Sequence, residues 1–270
     1  MLLTFRVALG IGLGINSSTI NVFAAECAPA YIRGGLAVCW QLFTAFGLLL
    51  RFIANIAVFD FSSPWRWQLG FPCLPAIPLA LLIYTCPESP AWDVKRDQNY
   101  KSAFRSLQRL RNTDLQAAKE VLNFYHHIVP NHGKGTMFYR KLAELFSVPR
   151  NRRATLAAFA VMLSQQLCGI NIIAFFSSTI FLNAGFSYFQ ALLASTVFGL
   201  VNFLGAVPAI WSMESLGRRS LLLFTLPPMA MTMLAAGLTF TLPEDSPTRF
   251  SLLAAMIYLF CALYSPGMVS

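Results

Sequence analysis

Three carboxamides stand close together in the run Gln165-Gln166-Leu167-Cys168-Gly169-Ile170-Asn171, inside a stretch too apolar to be anything but membrane-embedded. Each offers hydrogen-bond donors and an acceptor without carrying charge. In hydrocarbon such groups lose water they cannot replace, so they are rare there unless they face a bundle interior or a wet cavity. A neutral row of donors and acceptors suits a neutral polyhydroxy solute. The bland alternative is interhelical glue, with amides cross-linking helices at about 0.6 kcal/mol each. Three in so short a run favour the solute. Gly169 between them allows a local bend, which lets one helix aim several side chains at one solute.

The elements that must carry these amides are membrane spans. Hydrophobic residues make up 56% of the chain and charged residues 11%, and the mean hydropathy is +0.59, the composition of a polytopic all-α membrane protein. Windows of about 20 apolar residues predict seven spans, near residues 5–25, 36–59, 67–86, 154–182, 190–212, 220–241 and 250–268. Pro72, Pro75 and Pro78 mark the third span as bent, which membranes tolerate where neighbours satisfy the freed carbonyls.

The net charge of +9 is not a nucleic-acid signal. Thirteen of the twenty Lys and Arg lie between Asp93 and Arg153, in the one long polar loop, which the positive-inside rule places in the cytoplasm. Alternation then puts Arg33, Arg218 and Arg219 inside, and Asp60, Arg66, Glu244, Asp245 and Arg249 outside. A first span that enters from outside directly after Met1, and an end just after Ser265-Pro266-Gly267, read as a chain that starts and stops in mid-protein. Val22-Phe23-Ala24-Ala25 resembles a signal-peptide cleavage site, but Arg6 interrupts the apolar core before it.

Within the loop, Ala103, Phe104, Leu107 and Leu110 recur at helical spacing, and after Asn112-Thr113-Asp114, a cap, Leu115, Ala118, Val121, Leu122 and Tyr125 do so again. A third short helix runs from Met137 to Phe146. Their apolar faces fit either the cytoplasmic ends of the spans or the bilayer surface. The cysteines read as small packing residues, since most fall inside spans. His126, His127 and His132 lie in the loop with no Cys or acidic ligand at metal spacing, so no metal or other cofactor is expected. Gly10, Gly12 and Gly14 mimic a dinucleotide fingerprint without the preceding strand it needs. With no histidine in any span and no nucleophile beside a base, a membrane enzyme is not expected.

Four constellations, the amide run among them, fall where this topology expects mechanism: Glu26-Cys27-Ala28-Pro29-Ala30-Tyr31-Ile32-Arg33-Gly34, Pro87-Glu88-Ser89-Pro90-Ala91-Trp92, the amide run, and Glu214-Ser215-Leu216-Gly217-Arg218-Arg219. In this order, with the long basic loop between the second and third, they resemble the sugar porter family of the major facilitator superfamily. The resemblance covers essentially the whole chain and is greatest to fungal sugar and polyol transporters. It implies that the seven spans are the fourth to tenth of a twelve-helix carrier. Residues 1–92 would then end the N-terminal half, 93–153 form the cytoplasmic linker with its amphipathic helices, and 154–270 begin the C-terminal half.

The family further implies alternating-access transport of a neutral sugar or polyol, with a proton as a second partner in coupled members, and residence in the plasma membrane. The solute would be held near the midplane by Gln41, Gln165, Gln166, Asn171 and Asn202, each within an apolar span and away from its ends. For Gln41 or Asn202 singly, the glue reading weighs as much as the solute reading. At roughly 0.5–1.5 kcal/mol per neutral hydrogen bond, five amides supply a few kcal/mol, near the ~4 kcal/mol of millimolar affinity. Glu26, Arg33, Glu88, Glu214, Arg218 and Arg219 would form weak cytoplasmic ion pairs that hold the inner gate. Arg6 matches the family arginine that partners a carboxylate on the first helix in proton-coupled members.

Departures from the pattern weigh against activity. Ala91 replaces an arginine of the gate motif, and Phe175 and Phe176 replace two tyrosines of the cavity wall. Arg51 stands where a small residue is usual, two-thirds of the way through its span. These losses support an alternative reading as a non-transporting degenerate copy or solute sensor. A carboxylate-bearing solute would need a cation in the cavity.

Overall fold

The computed structural model of the chain describes residues 1–29, 32–97, 99–128, 138–208, 218–241 and 247–268, and every regular element among them is a helix. Seven helical stretches of these residues are long and apolar enough to cross a membrane: Leu2–Cys27, Gly34–Ala57, Pro64–Ile83, Pro149–Asn183, Tyr188–Ala206, Ser220–Thr241 and Thr248–Pro266. They correspond one for one to the spans expected from hydropathy. Two are interrupted. The third divides into α3 (Pro64–Gly70) and α4 (Cys73–Ile83), with Pro72 in the break and Pro78 inside α4, where its ring removes the hydrogen bond that would run to Leu74. The fourth divides at Gly169 into α9 (Pro149–Leu167) and α10 (Ile170–Asn183).

Contacts gather the chain into two compact units, residues 1–40 with 77–143 and residues 41–76 with 144–270. In the first, α1 (Leu2–Cys27) meets α5 (Pro90–Asp97), which packs with α6 (Tyr100–Leu110) and α7 (Asp114–Ile128). Pro90 starts α5, a position where its missing N–H costs nothing. The carbonyl of the Asn99 side chain caps α6 by accepting from Ser102 N at 3.1 Å, and Thr113 Oγ1 accepts from Gln116 N at the start of α7. Ala103 and Leu107 of α6 are fully buried, as their spacing predicts. On α7 the packed residue is Ala117, whereas Leu115 is 82% exposed and Leu122 and Tyr125 are exposed too. Ala118, Val121 and Phe124 are half-buried beside Ala117, and the Tyr125 ring lies 5.8 Å from that of Tyr100 on α6.

The ends of α1 and α7 are tied by Arg111. Its Nε and Nη2 donate to the two oxygens of Glu120 at 2.9 and 2.7 Å, and Nη1 donates at 2.9 Å to the Cys27 carbonyl, one of the acceptors a helix leaves unsatisfied at its C-terminus. Arg111 is only 6% exposed, so water replaces these bonds poorly. Arg111→Ala is expected to destabilise this unit by about 1–3 kcal/mol. Hydrogen exchange would quicken in peptides covering the α1 terminus and the start of α7. Arg105→Ala, on the exposed face of α6, would leave both unchanged.

The second unit is built on α11 (Tyr188–Ala206), α12 (Arg218–Leu238) and α13 (Pro247–Met268), with α10 alongside. Phe181, Phe198, Phe260 and Cys261 form its buried centre. α11 and α13 run parallel, linked by Tyr258 Oη donating to the Ala194 carbonyl at 3.1 Å, Cys261 Sγ to Phe198 O, and Ser265 Oγ near Asn202. α2 (Arg33–Ala57) runs antiparallel to α11: Phe46 meets Phe203, and Phe52 lies edge-on to Phe198. Gly199 permits that approach, since a Cβ there would sit 2.8 Å from the Phe52 ring and 3.3 Å from Leu49 Cα.

Candidate functional site

The amide run is organised by its glycine. α9 ends at Leu167, Cys168 closes it, and Gly169 takes φ +84°, a left-handed conformation that starts α10 on a new axis. Asn171 Nδ2 donates to Gln166 Oε1 at 2.6 Å. In an unbroken α-helix, side chains five residues apart point to different faces. The pair forms because the chain turns between them. It is exposed, and this one bond leaves the Gln166 NH2 as a donor and the Asn171 carbonyl oxygen as an acceptor for further hydrogen bonds.

The other amides differ in what they touch. Gln165 is half-buried and its Nε2 lies 3.3 Å from Tyr264 Oη on α13. Asn202 is 6% exposed, and the Ser265 hydroxyl sits 2.7 Å from its Oδ1 and 2.8 Å from its backbone carbonyl, a cross-link between α11 and α13. Gln41 is half-buried and makes no side-chain hydrogen bond among the described residues. Phe175 and Phe176 are 64% and 58% exposed on α10. Phe175 lies one turn beyond Asn171 and so shares its face.

Arg51, on α2, is also exposed, and its guanidinium stands 5.4 Å from the Phe52 ring centre and 5.8 Å from that of Phe175. Stacking on aromatic faces is worth about 0.5–2 kcal/mol. An arginine at that depth costs roughly 2.5–3.5 kcal/mol to insert, so the rings offset only part of it.

Of the charged motifs, Glu26 accepts a hydrogen bond from the Ser89 hydroxyl, which joins the first two motifs within one unit. Glu88 is exposed. Glu214 and the side chains of Arg33, Arg218 and Arg219 lie outside the described residues. Arg6 is exposed on α1, with no carboxylate against it among the described residues.

The family model for sugar (and other) transporters matches residues 1–270. The chain belongs to the sugar transporter family. Among its relatives in this family, the arabinose-proton symporter of Escherichia coli is 31% identical over 88% of this chain and 48% of its own length. A putative metabolite transport protein of Bacillus subtilis is 29% identical over 98% and 57%, and myo-inositol transporter 2 of Schizosaccharomyces pombe 28% over 99% and 49%. The chain thus spans about half the length of the curated relatives it matches. The xylose transporter of E. coli, in a partially occluded inward-open conformation, superposes with a TM-score of 0.78 at 26% identity, over 98% of this chain and 57% of that one. The fold is therefore a partial major facilitator bundle and the protein a multi-pass membrane protein, as expected from hydropathy and motifs. Members of the sugar transporter family move solutes and are not enzymes.

Sequence reasoning did not single out Tyr264 and Ser265, the α13 groups that meet Gln165 and Asn202. A tyrosine and a serine side by side in an apolar run were the available signal. Arg111 and Glu120 carried none, being one cation and one acid among many in a charged loop.

Proposed function

We propose that the chain is the helix four-to-ten portion of a carrier that moves a sugar or polyol by alternating access, with residues 1–92 and 154–270 belonging to its two halves and 93–153 linking them. The observation that carries this reading is the Gln166–Asn171 pair, an exposed donor and acceptor set at a glycine break in an otherwise apolar span. Gln165, Gln166 and Asn171 bind solute hydroxyls, with Gln41 and the Phe175–Phe176 face beside them; Asn202 supports the wall through its link to Ser265. The relatives named for arabinose, galactose and inositol transport support a hydroxyl-rich solute. Glu26, Arg33, Glu88, Glu214, Arg218 and Arg219 bias the carrier between outward- and inward-facing states, since several weak pairs can shift such an equilibrium without locking it. Arg6 serves proton coupling through a carboxylate on another helix. The plasma membrane is the proposed location.

The test is labelled-hexose and polyol uptake in a host lacking its own carriers. The chain joined to the segments that complete its relatives should give uptake that unlabelled sugars compete away. These 270 residues alone should give only background, because alternating access needs two halves moving about one site. Saturable uptake by the 270 residues alone would refute the second expectation. Solute binding without uptake in the completed protein would favour the sensor reading.

A further inference from the structure

We infer that Arg51 contributes a cation to the solute pathway, and that the preferred solute carries a carboxylate as well as hydroxyls, a sugar acid. This rests on the transport reading above and names the substrate class of that same site.

Asn171 and Phe175 share one exposed face of α10, turned away from the packed side that carries Ile173, Ala174, Ser177 and Phe181. The Arg51 guanidinium stands 5.8 Å from the centre of the Phe175 ring, and Phe175 lies one helical turn beyond Asn171 on the same face. A guanidinium held by ring faces keeps its edge free, and its N–H groups form a planar fork that matches a carboxylate. Among the described residues no carboxylate lies within ion-pair distance of Arg51. The insertion cost of this arginine is only partly offset by Phe52 and Phe175, and an anionic group on the solute would offset the rest.

A lipid phosphate has the same chemistry as a solute carboxylate in this respect, both being planar or tetrahedral oxyanions that accept from the fork. The geometry favours the solute: the guanidinium is drawn to Phe175 of α10, on the face that carries Asn171, rather than extending along α2. A sugar acid would then place hydroxyls on the amide pair and its carboxylate on Arg51 at the same time.

The experiment is ligand-observed saturation-transfer NMR on the chain joined to the segments that complete its relatives, purified in phosphatidylcholine nanodiscs, with D-glucuronate, D-glucuronamide and D-glucose as probes. Glucuronate and its amide have the same shape and differ in charge. Glucuronate is expected to bind about tenfold more tightly than the other two, the range of one charge-assisted contact. Arg51→Gln should bring it down to the level of glucuronamide, and Arg51→Lys, which keeps charge but loses the fork, should retain part of the preference. Asn171→Ala should weaken all three. Equal binding of glucuronate and glucuronamide to the unaltered chain would overturn the inference and assign Arg51 to lipid phosphate, while glucose binding would leave the transport reading standing. A preference that survives Arg51→Gln would also overturn it. If none of the three binds, both readings fall.

Discussion

Alanine at Gln165 or at Asn171, in the chain completed with the segments its relatives carry, is expected to lower uptake at sub-saturating sugar by roughly fivefold to a hundredfold. Each substitution deletes a direct contact and disturbs a neighbour. Asn171→Ala removes the Nδ2 donor that fixes Gln166 Oε1 at 2.6 Å, so the remaining amide loses its orientation as well as its partner. Gln165→Ala removes a proposed solute contact and strands Tyr264 Oη, which is 3.3 Å from Gln165 Nε2 and is itself buried. Two neutral hydrogen bonds at about 0.5–1.5 kcal/mol each correspond to roughly a fivefold to hundredfold loss. Because Gln166 and Asn171 act as a unit, the double alanine variant should lose clearly less than the product of the two single losses. Gln190 is the control: it belongs to the capping box at the start of α11, where its Oε1 accepts from Ser187 N at 3.1 Å. Initial rates of labelled uptake, normalised to the amount of carrier in the membrane, decide the matter. A loss for Gln190→Ala equal to that for Asn171→Ala would remove the amide pair from the solute site.

The largest effect on folding is expected at Gly199. A leucine there must place its Cβ 2.8 Å from Phe52 Cδ2 and 3.3 Å from Leu49 Cα. A ring can rotate, but the Leu49 contact is backbone, so α2 has to move away from α11. That opens the Phe52–Phe198 and Phe46–Phe203 contacts, which hold the two helices together. Within a membrane no water is expelled when helices meet, so close packing carries much of the association and its loss is felt directly. Overpacking of this kind costs roughly 1–3 kcal/mol, and the branched side chain places it at the upper end. Gly237 has nothing within 4 Å of its would-be Cβ, and Gly237→Leu should unfold with the parent. Thermal unfolding in detergent of the two variants and the parent would show the contrast. Phe52→Ala combined with Gly199→Leu should recover part of the loss by making room. If Gly199→Leu melts with the parent, α2 does not pack on α11 as described.

Much of this protein was legible one segment at a time. An uninterrupted apolar run has a single stable solution in hydrocarbon, a helix with every backbone group paired, so seven spans follow from hydropathy alone. The clustering of lysine and arginine marks the long polar loop as the segment that the positive-inside rule assigns to the cytoplasm. The amides stood out because a polar group in an apolar run is anomalous wherever its neighbours lie, and the bend at Gly169 followed from the one residue among them that tolerates a positive φ. The motifs in order then pointed to the family that the comparison of folds and sequences established.

Pairing was decided only in three dimensions. Gln166 and Asn171 meet because of how far the chain turns at Gly169, and regular periodicity would have sent them to different faces. Asn202 finds Ser265, 63 residues on, and Arg111 finds the Cys27 carbonyl, 84 residues back. On α7 the spacing of Leu115, Ala118, Val121, Leu122 and Tyr125 marked an apolar face, of which Ala118 and Val121 are half-buried beside the buried Ala117 while Leu115 and Leu122 stay exposed. The reason is the same in each case. Local composition determines whether a segment is helical and how deep it sits, but the rotation of a helix about its axis depends on the shapes of its neighbours, and that rotation decides whether a side chain meets a carbonyl, a ring or an open face.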